Sequence, residues 1–207
     1  MKKLVIFDLD GTLLNTIADL AHSTNYALNK LGYPTHEIEK YNFMVGNGID
    51  KLFERALPEE EKSKENVLRV RKEFVPYYDI HNADDSRPYP GIPELLSYLQ
   101  NAGVQIAVAS NKYQAATQKL VDHYFPEIHF TAVFGQREGV KVKPDPIIVS
   151  DILEVAKVAK EEVLYVGDSG VDMQTAANAG VTACGVTWGF RPRTELEEFN
   201  PSYIADT

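Results

Sequence analysis

The chain of 207 residues has one cysteine, one tryptophan and three methionines, and its 21 lysines and arginines are outnumbered by 30 acids. A single thiol, Cys184, excludes an internal disulfide and agrees with a reducing compartment. It lies in the small apolar run Val181–Val186, which suits an inert buried thiol better than a nucleophile. The five histidines, His22, His36, His81, His123 and His129, share no metal-ligand spacing and are read as incidental. A formal net charge of -9 argues against a nucleic-acid partner, because such binding draws on lysine and arginine contacts to phosphate. A small anionic substrate needs only local positive charge. No stretch approaches the roughly 18 consecutive apolar residues of a membrane span. The apolar run after Met1-Lys2-Lys3 is too short for a secretory signal and ends at Asp8. The expectation is a cytoplasmic protein with no membrane partner, a monomer or weak dimer.

What remains is ordinary globular material, 44% hydrophobic and 25% charged, long enough for one domain or two small ones. Its organising stretch is the first dozen residues. Leu4 to Phe7 is an unbroken apolar run, as expected of a strand buried on both faces of a parallel sheet. Asp8 and Asp10 follow two positions apart, on one side of an extended chain, and Gly11 permits a tight turn. Asp-Gly between apolar runs is also a hairpin signal. A hairpin needs a partner strand at once, however, and residues from Asn15-Thr16 to Leu28 read as a helix opened by a polar cap.

Further helices are predicted near 47–56 and 59–78, the second opening on the acidic run after Pro58, where the helix dipole favours acids. A polar, proline-containing linker at 82–91 ends this helical block. From Ile92 onward helices alternate with short apolar strands at 104–109, 131–134, 163–166 and 181–186, with a short helix and a last edge strand at the C-terminus. Such alternation predicts an α/β fold, a doubly wound parallel sheet covered on both faces. The first strand must rejoin that sheet, so the expected division is a core of residues 1–14 and 86–207 with an inserted helical cap of residues 15–85.

Polar residues cluster where three of the strands end: Asp8, Asp10 and Thr12; Ser110, Asn111 and Lys112; Asp168, Ser169 and Asp172. In a parallel sheet these ends lie along one edge, where α/β proteins bind ligands. Lys143 joins from the loop before Pro144. Four carboxylates at one place, Asp8, Asp10, Asp168 and Asp172, repel one another unless a cation or shifted pKa values relieve them, and Mg²⁺ suits such hard oxygen donors. Thr12, Ser110 and Lys143 supply donors for an anion. Taken alone, Ser110 reads better as a helix cap than as a ligand, and Lys143 better as a solvated surface charge.

The four pieces together, Asp8-Leu-Asp10-Gly-Thr12, Ser110, Lys143 before a proline, and Gly167-Asp168-Ser-Gly-Val-Asp172, resemble the haloacid dehalogenase-like hydrolases across the whole chain. The resemblance implies a Rossmann-like core and a Mg²⁺-dependent phosphatase in which Asp8 forms an aspartyl-phosphate and Asp10 serves as acid and then base. Ser110 and Lys143 would hold phosphoryl oxygens, Asp8, the Asp10 backbone carbonyl and Asp168 would bind the metal, and Asp172 would stand behind them. Asn111 and Lys112 would orient the loop or touch substrate. Asp10 favours phosphate over carbon-halogen chemistry, which needs neither an acid there nor a metal.

The insertion resembles the helical cap of one branch of this family. Its segment Val45-Gly46-Asn47-Gly48, with Arg55 downstream, resembles that of phosphoglycolate phosphatases, where a helix N-terminus would meet a small carboxylate. Gly46, Asn47 and Arg55 are thus candidate substrate residues, although Arg55 also fits an exposed salt bridge. A small phosphate monoester, 2-phosphoglycolate first, is the expected substrate. A sugar phosphomutase of the β-phosphoglucomutase kind, a pyrophosphatase or nucleotidase, and a regulatory protein without turnover are the alternatives. Trp188 is read as packing between core and tail.

Overall fold

The computed structural model describes residues 1–206. Its centre is the strand that the sequence singled out, β1 (Leu4–Phe7), flanked in parallel by β4 (Gln105–Tyr113) and β6 (Val163–Gly167). With β5 (Ala132–Gln136), β7 (Thr182–Val186) and β8 (Tyr203–Ala205) they form one six-stranded sheet, ordered β5-β4-β1-β6-β7-β8 and parallel at every pairing. The hairpin reading of Asp-Gly fails because β1 has no antiparallel neighbour. Gly11 donates to the Leu14 carbonyl at 2.8 Å, closing a tight loop instead.

The unbroken apolar run of β1 is explained by its two faces. Leu4 and Ile6 pack with Ile148, Val149 and Ile152 of helix α6 (Ile147–Ala156) and with Ala176 of α7 (Gly170–Ala179). Val5 and Phe7 pack with Ile92 and Leu96 of α4 (Ile92–Asn101) and Leu120 of α5 (Gln114–Tyr124). Alternating side chains therefore enter separate cores, and no position of the strand can be polar. The tail adds the short α8 (Arg193–Glu197) before β8.

Between β1 and α4 lie α1 (Ile17–Lys30), α2 (Ile49–Ala56) and α3 (Lys64–His81), which bury a core of their own around Leu28, Tyr41, Phe53, Phe74 and Tyr78. Two expectations need correction here, and one element was not expected. Residues 59–61 form a single 3₁₀ turn, and α3 starts later, where the Ser63 hydroxyl accepts from Asn66 N at 3.1 Å and caps it. A second 3₁₀ stretch, Ile38–Phe43, went unread because it has no apolar periodicity. Thr16 stands at the N-cap of α1 but makes no capping bond, since its hydroxyl donates to Asp10 Oδ1 at 2.5 Å.

The chain crosses between the two parts through a small antiparallel ribbon, β2 (Leu14–Asn15) with β3 (Arg87–Pro88). Asp19, 2% exposed, fastens this crossing by accepting from Asp85 N (2.9 Å), Ser86 N (2.8 Å) and Ser86 Oγ (2.6 Å). Losing a charged acceptor that serves two buried donors and a half-buried one outweighs the small gain from uncharging the site. Asp19→Ala is therefore expected to lower the unfolding free energy by about 2–3 kcal/mol, read from the shift of the urea midpoint.

Candidate active site

The carboxyl ends of β1, β4 and β6 meet as expected. Asp8, Asp168 and Asp172 bring carboxylate oxygens within 4.8 Å of one another, all three buried. At that separation two full charges repel by about 3.5 kcal/mol at an effective dielectric near 20, so the cluster requires compensation. Part of it is Lys143, 2% exposed, whose Nζ lies 3.0 Å from Asp8 Oδ1 and 2.8 Å from Asp172 Oδ1, and donates to the Ala109 carbonyl at 2.9 Å. Burial opposes the charge on Lys143, yet Asp172 and Asp8 hold its ammonium well above the ordinary lysine value. Burial, then the Asp172 charge, push Asp8 well above the usual carboxylate range, with Lys143 pulling the other way. Asp168 is pushed up to about 7, by burial and then by Asp172.

Each carboxylate has a distinct set of partners. Asp8 Oδ1 accepts from its own neighbour Leu9 N at 2.7 Å and faces Lys143, while Oδ2 has no donor among the described residues. Asp172 is spent on the protein: Lys143 and Tyr165 OH (3.2 Å) on one oxygen, Ser169 N (3.2 Å) and Oγ (2.6 Å) on the other, in a capping box that opens α7. Asp168 Oδ2 accepts from Phe190 N at 2.7 Å. A Cβ on Gly11 or Gly189 would come within 2.3 Å of the Asp168 side chain, so both glycines are required by close approach.

Asp10 departs from the expectation of four crowded carboxylates. Its oxygens lie outside the cluster, and Oδ1 takes the Thr16 hydroxyl at 2.5 Å and Lys112 Nζ at 3.1 Å. Lys112, 5% exposed, in turn donates to Tyr78 OH of α3 at 2.6 Å, so a buried chain links the inserted helices to Asp10. Ser110, Asn111 and Lys112 are part of β4 itself, which runs on to Tyr113, rather than of a loop behind it. Ser110 Oγ accepts from Lys112 N at 3.1 Å and keeps its proton free, among the described residues, to donate. Thr12 is fully buried, and its hydroxyl leans toward Asp168 Oδ1 at 3.4 Å instead of facing an anion.

Above the cluster a cavity of about 40 Å³ has room for about three waters. Asp8, Asp10, Ser110, Asn111, Lys112 and Asp168 line its floor, and Gly46, Gly48, Ile49 and Leu52 its roof. Asn111 ties the two, donating to the Gly46 carbonyl at 3.0 Å and to the Lys143 carbonyl at 3.1 Å. Asn47 and Arg55 are not in the lining. The Arg55 guanidinium curls back along α2 onto Asn47 Oδ1 (2.7 Å) and the Met44 carbonyl (2.8 Å), bracing the glycine turn from outside. Arg191 and Phe190 do line the cavity and were not among the candidates. Their position just beyond β7, on the edge where the site strands end, was the only available signal. Trp188 packs as expected, with Nε1 donating to the Thr12 carbonyl at 3.1 Å, and burial pushes the Cys184 thiol up, as an inert group requires.

The donor set fits a divalent cation. Three buried carboxylates against one ammonium leave an excess of two negative charges when ionised, and Asp8 Oδ2 has no other partner. Since Asp172 is already saturated, Asp8 and Asp168 are the side chains with oxygen lone pairs to offer. No helix among the described residues is long and apolar enough to cross a membrane.

Comparison with known proteins agrees with this geometry. The sequence pattern of the haloacid dehalogenase-like hydrolases matches residues 5–186. The phosphoglycolate phosphatase of Vibrio parahaemolyticus is 33% identical over 99% of this chain and 92% of its own, and that of Mesorhizobium japonicum 32% identical over 98% and 90%. A solved structure from Lactobacillus delbrueckii subsp. bulgaricus, described as a phosphoglycolate phosphatase, superposes with a TM-score of 0.93 at 34% identity, covering 100% of this chain and 95% of that one. With the aspartate and lysine cluster at the ends of the same parallel strands, this places the chain among the haloacid dehalogenase-like hydrolases, as a phosphatase of that family.

Proposed function

We propose that the protein is a Mg²⁺-dependent phosphatase of small phosphate monoesters, 2-phosphoglycolate foremost, working through a phosphorylated Asp8. The observation that carries the reading is the division of labour between two aspartates two residues apart. Asp8 presents one unpartnered oxygen beside Lys143, while Asp10, held by Thr16 and Lys112, sits outside the metal cluster. The small cavity and the names of the most similar relatives support a compact substrate.

In the first step Asp8 Oδ2 attacks phosphorus, the bond to the ester oxygen breaks, and the departing oxygen takes a proton from the Asp10 carboxyl. In the second, Asp10 removes a proton from water, the new oxygen bonds to phosphorus, and the bond to Asp8 breaks to free phosphate. Splitting one difficult displacement in two lowers each barrier. Lys143 and the Ser110 hydroxyl hold phosphoryl oxygens where negative charge builds. Mg²⁺, held by Asp8, Asp168 and the Asp10 backbone carbonyl, would supply further neutralisation of that charge. The inserted helices close over the site and exclude water other than the reacting one.

Phosphate release from a panel of glycolate, hexose and nucleoside phosphates and pyrophosphate is expected to be largest with 2-phosphoglycolate. Asp8→Asn is expected to lose about 10⁴-fold or more in kcat while remaining folded. Brief incubation with radiolabelled substrate should leave acid-stable, hydroxylamine-labile label on the wild type and none on Asp8→Asn. Free sugar 6-phosphate from sugar 1-phosphate, with little inorganic phosphate, would instead identify a mutase.

Metal removal carries a second expectation. Asp168 keeps its proton up to about pH 7 in the folded chain, against 3.8 for an ordinary aspartate, and Asp8 is shifted the same way. A raised acid contributes stability below its unfolded value that is lost as pH climbs through the folded one. Metal-free protein should therefore melt lower at about pH 8 than at about pH 5, and Mg²⁺ should raise the melting temperature more at the higher pH. Calorimetry at the two pH values checks both.

A further inference from the structure

The groups described so far account for the phosphoryl end of the substrate. Nothing yet accounts for the other end, and the cavity lining contains one cation not used by the chemistry, Arg191. Phe190 N donates to Asp168 Oδ2, so the backbone that carries Arg191 is pinned one residue from the catalytic cluster. From there the side chain, 12% exposed, crosses to the inserted helices. Its Nη2 donates to the Val45 carbonyl at 2.9 Å, and its guanidinium lies 5.3 Å from the centre of the Phe43 ring. Nη1 and Nε have no hydrogen-bond acceptor among the described residues. The nearest carboxylate, Glu195, is 3.9 Å from Nε, too far for a hydrogen bond.

A second guanidinium, Arg55, braces the other side of the same turn, at its Met44 carbonyl and Asn47 side chain. Burial and then the Arg191 charge hold its pKa below the ordinary arginine value, which shows that the two cations feel each other. Two guanidinium groups thus flank the glycine turn over the cavity, and an anion is what such a seam lacks. The turn's own carbonyls are already satisfied: those of Met44, Val45 and Gly46 accept from Arg55, Arg191 and Asn111.

We propose that Arg191 is a specificity-determining residue that reads the anionic group at the end of the substrate remote from the reacting phosphoryl, while its Nη2 keeps hold of the Val45 carbonyl. The inference rests on the phosphatase reading above and adds to it the group that selects the substrate. Binding of the distal anion and docking of the inserted helices would then share one side chain, so that an acidic substrate stabilises its own enclosure. A carboxylate and a second phosphoryl share the required chemistry, and both fit the fork of a guanidinium.

The test compares 2-phosphoglycolate, pyrophosphate and ethyl phosphate, which is close to the first in size but has no second anionic group, on the wild type, Arg191→Met and Arg191→Lys. The wild type should prefer the charged esters. Arg191→Met, which keeps an apolar contact with Phe43, should lose about 10- to 100-fold in kcat/KM on them, the size of one charge-assisted hydrogen bond. The loss should appear mainly in KM, with ethyl phosphate changed less than about threefold and Arg191→Lys intermediate. A larger loss on phosphoglycolate than on pyrophosphate identifies the distal group as a carboxylate, and the reverse as a phosphoryl. Equal losses on all three esters would make Arg191 a structural tie and overturn the proposal, as would no loss at all. Wild-type protein that hydrolyses ethyl phosphate but shows no preference overturns the proposal and spares the phosphatase reading. Release of phosphate from none of the three removes both.

Discussion

A lysine ammonium buried between two carboxylates is the constraint around which the molecule is built. Taking these charges out of water costs several kcal/mol per ion, and their mutual attraction repays that only if the geometry is held closely. Here it is held by three chain segments, the nearest two of them 29 residues apart. Asp8 ends β1, Lys143 stands in the loop before α6, and Asp172 lies in the first turn of α7. A shift of any one element would strand a buried charge. The sheet order, with β1 between β4 and β6, is what keeps the three in register. Stability and the site are therefore coupled: the apolar faces of β1 provide the burial that makes the carboxylates costly, and the same burial makes them strong toward a cation or a phosphoryl group.

The parts legible in the sequence are those whose physics is local. Leu4–Phe7 announces a doubly buried strand because both faces demand apolar side chains. The alternation after Ile92 announces parallel crossovers, and the polar residues at strand ends fall on one edge by topology alone. Asp8, Asp168 and Lys143 could be paired before any coordinates because each ends or follows such a strand. What the sequence hides are choices between partners made only when distant elements pack. Thr16 reads as a helix cap, the usual use of its hydroxyl, and is taken instead by Asp10, because that carboxylate turns away from the other three. Lys112 reads as one of a polar trio on a loop. Its meaning depends on Tyr78, thirty-four positions earlier and on a helix of the insertion. Arg191 follows a strand without a motif to mark it, and only the cavity shows its use.

Within the insertion, aromatic side chains such as Phe53, Phe74 and Tyr78 are fully buried against one another, and within the core the sheet is covered on both sides. Across the seam, Ala116, Tyr113 and Phe190 pack against the insertion's apolar cluster, and polar ties join them: Asn111 to the Gly46 carbonyl, Arg191 to the Val45 carbonyl, Lys112 to Tyr78, Tyr113 to Asp79. Water can replace each of these at a net cost of about 0.5–1.5 kcal/mol, whereas exposing one buried aromatic costs about 1.5–3 kcal/mol. The chain crosses this seam through the β2 and β3 ribbon that Asp19 fastens.

That difference sets how the chemistry and the closure depend on each other. Asp8, Lys143 and Asp168, to which the proposed mechanism gives the phosphoryl group and the metal, have their side-chain partners in the core. Asp10 does not. Its Oδ1 is held by Thr16, at the first crossing between the halves, and by Lys112, which itself leans on Tyr78 of α3. Tyr78 of α3 is thus a partner of the lysine that holds Asp10. On the mechanism proposed above, transfer to Asp8 and protonation of the departing group would then be governed by different parts of the fold.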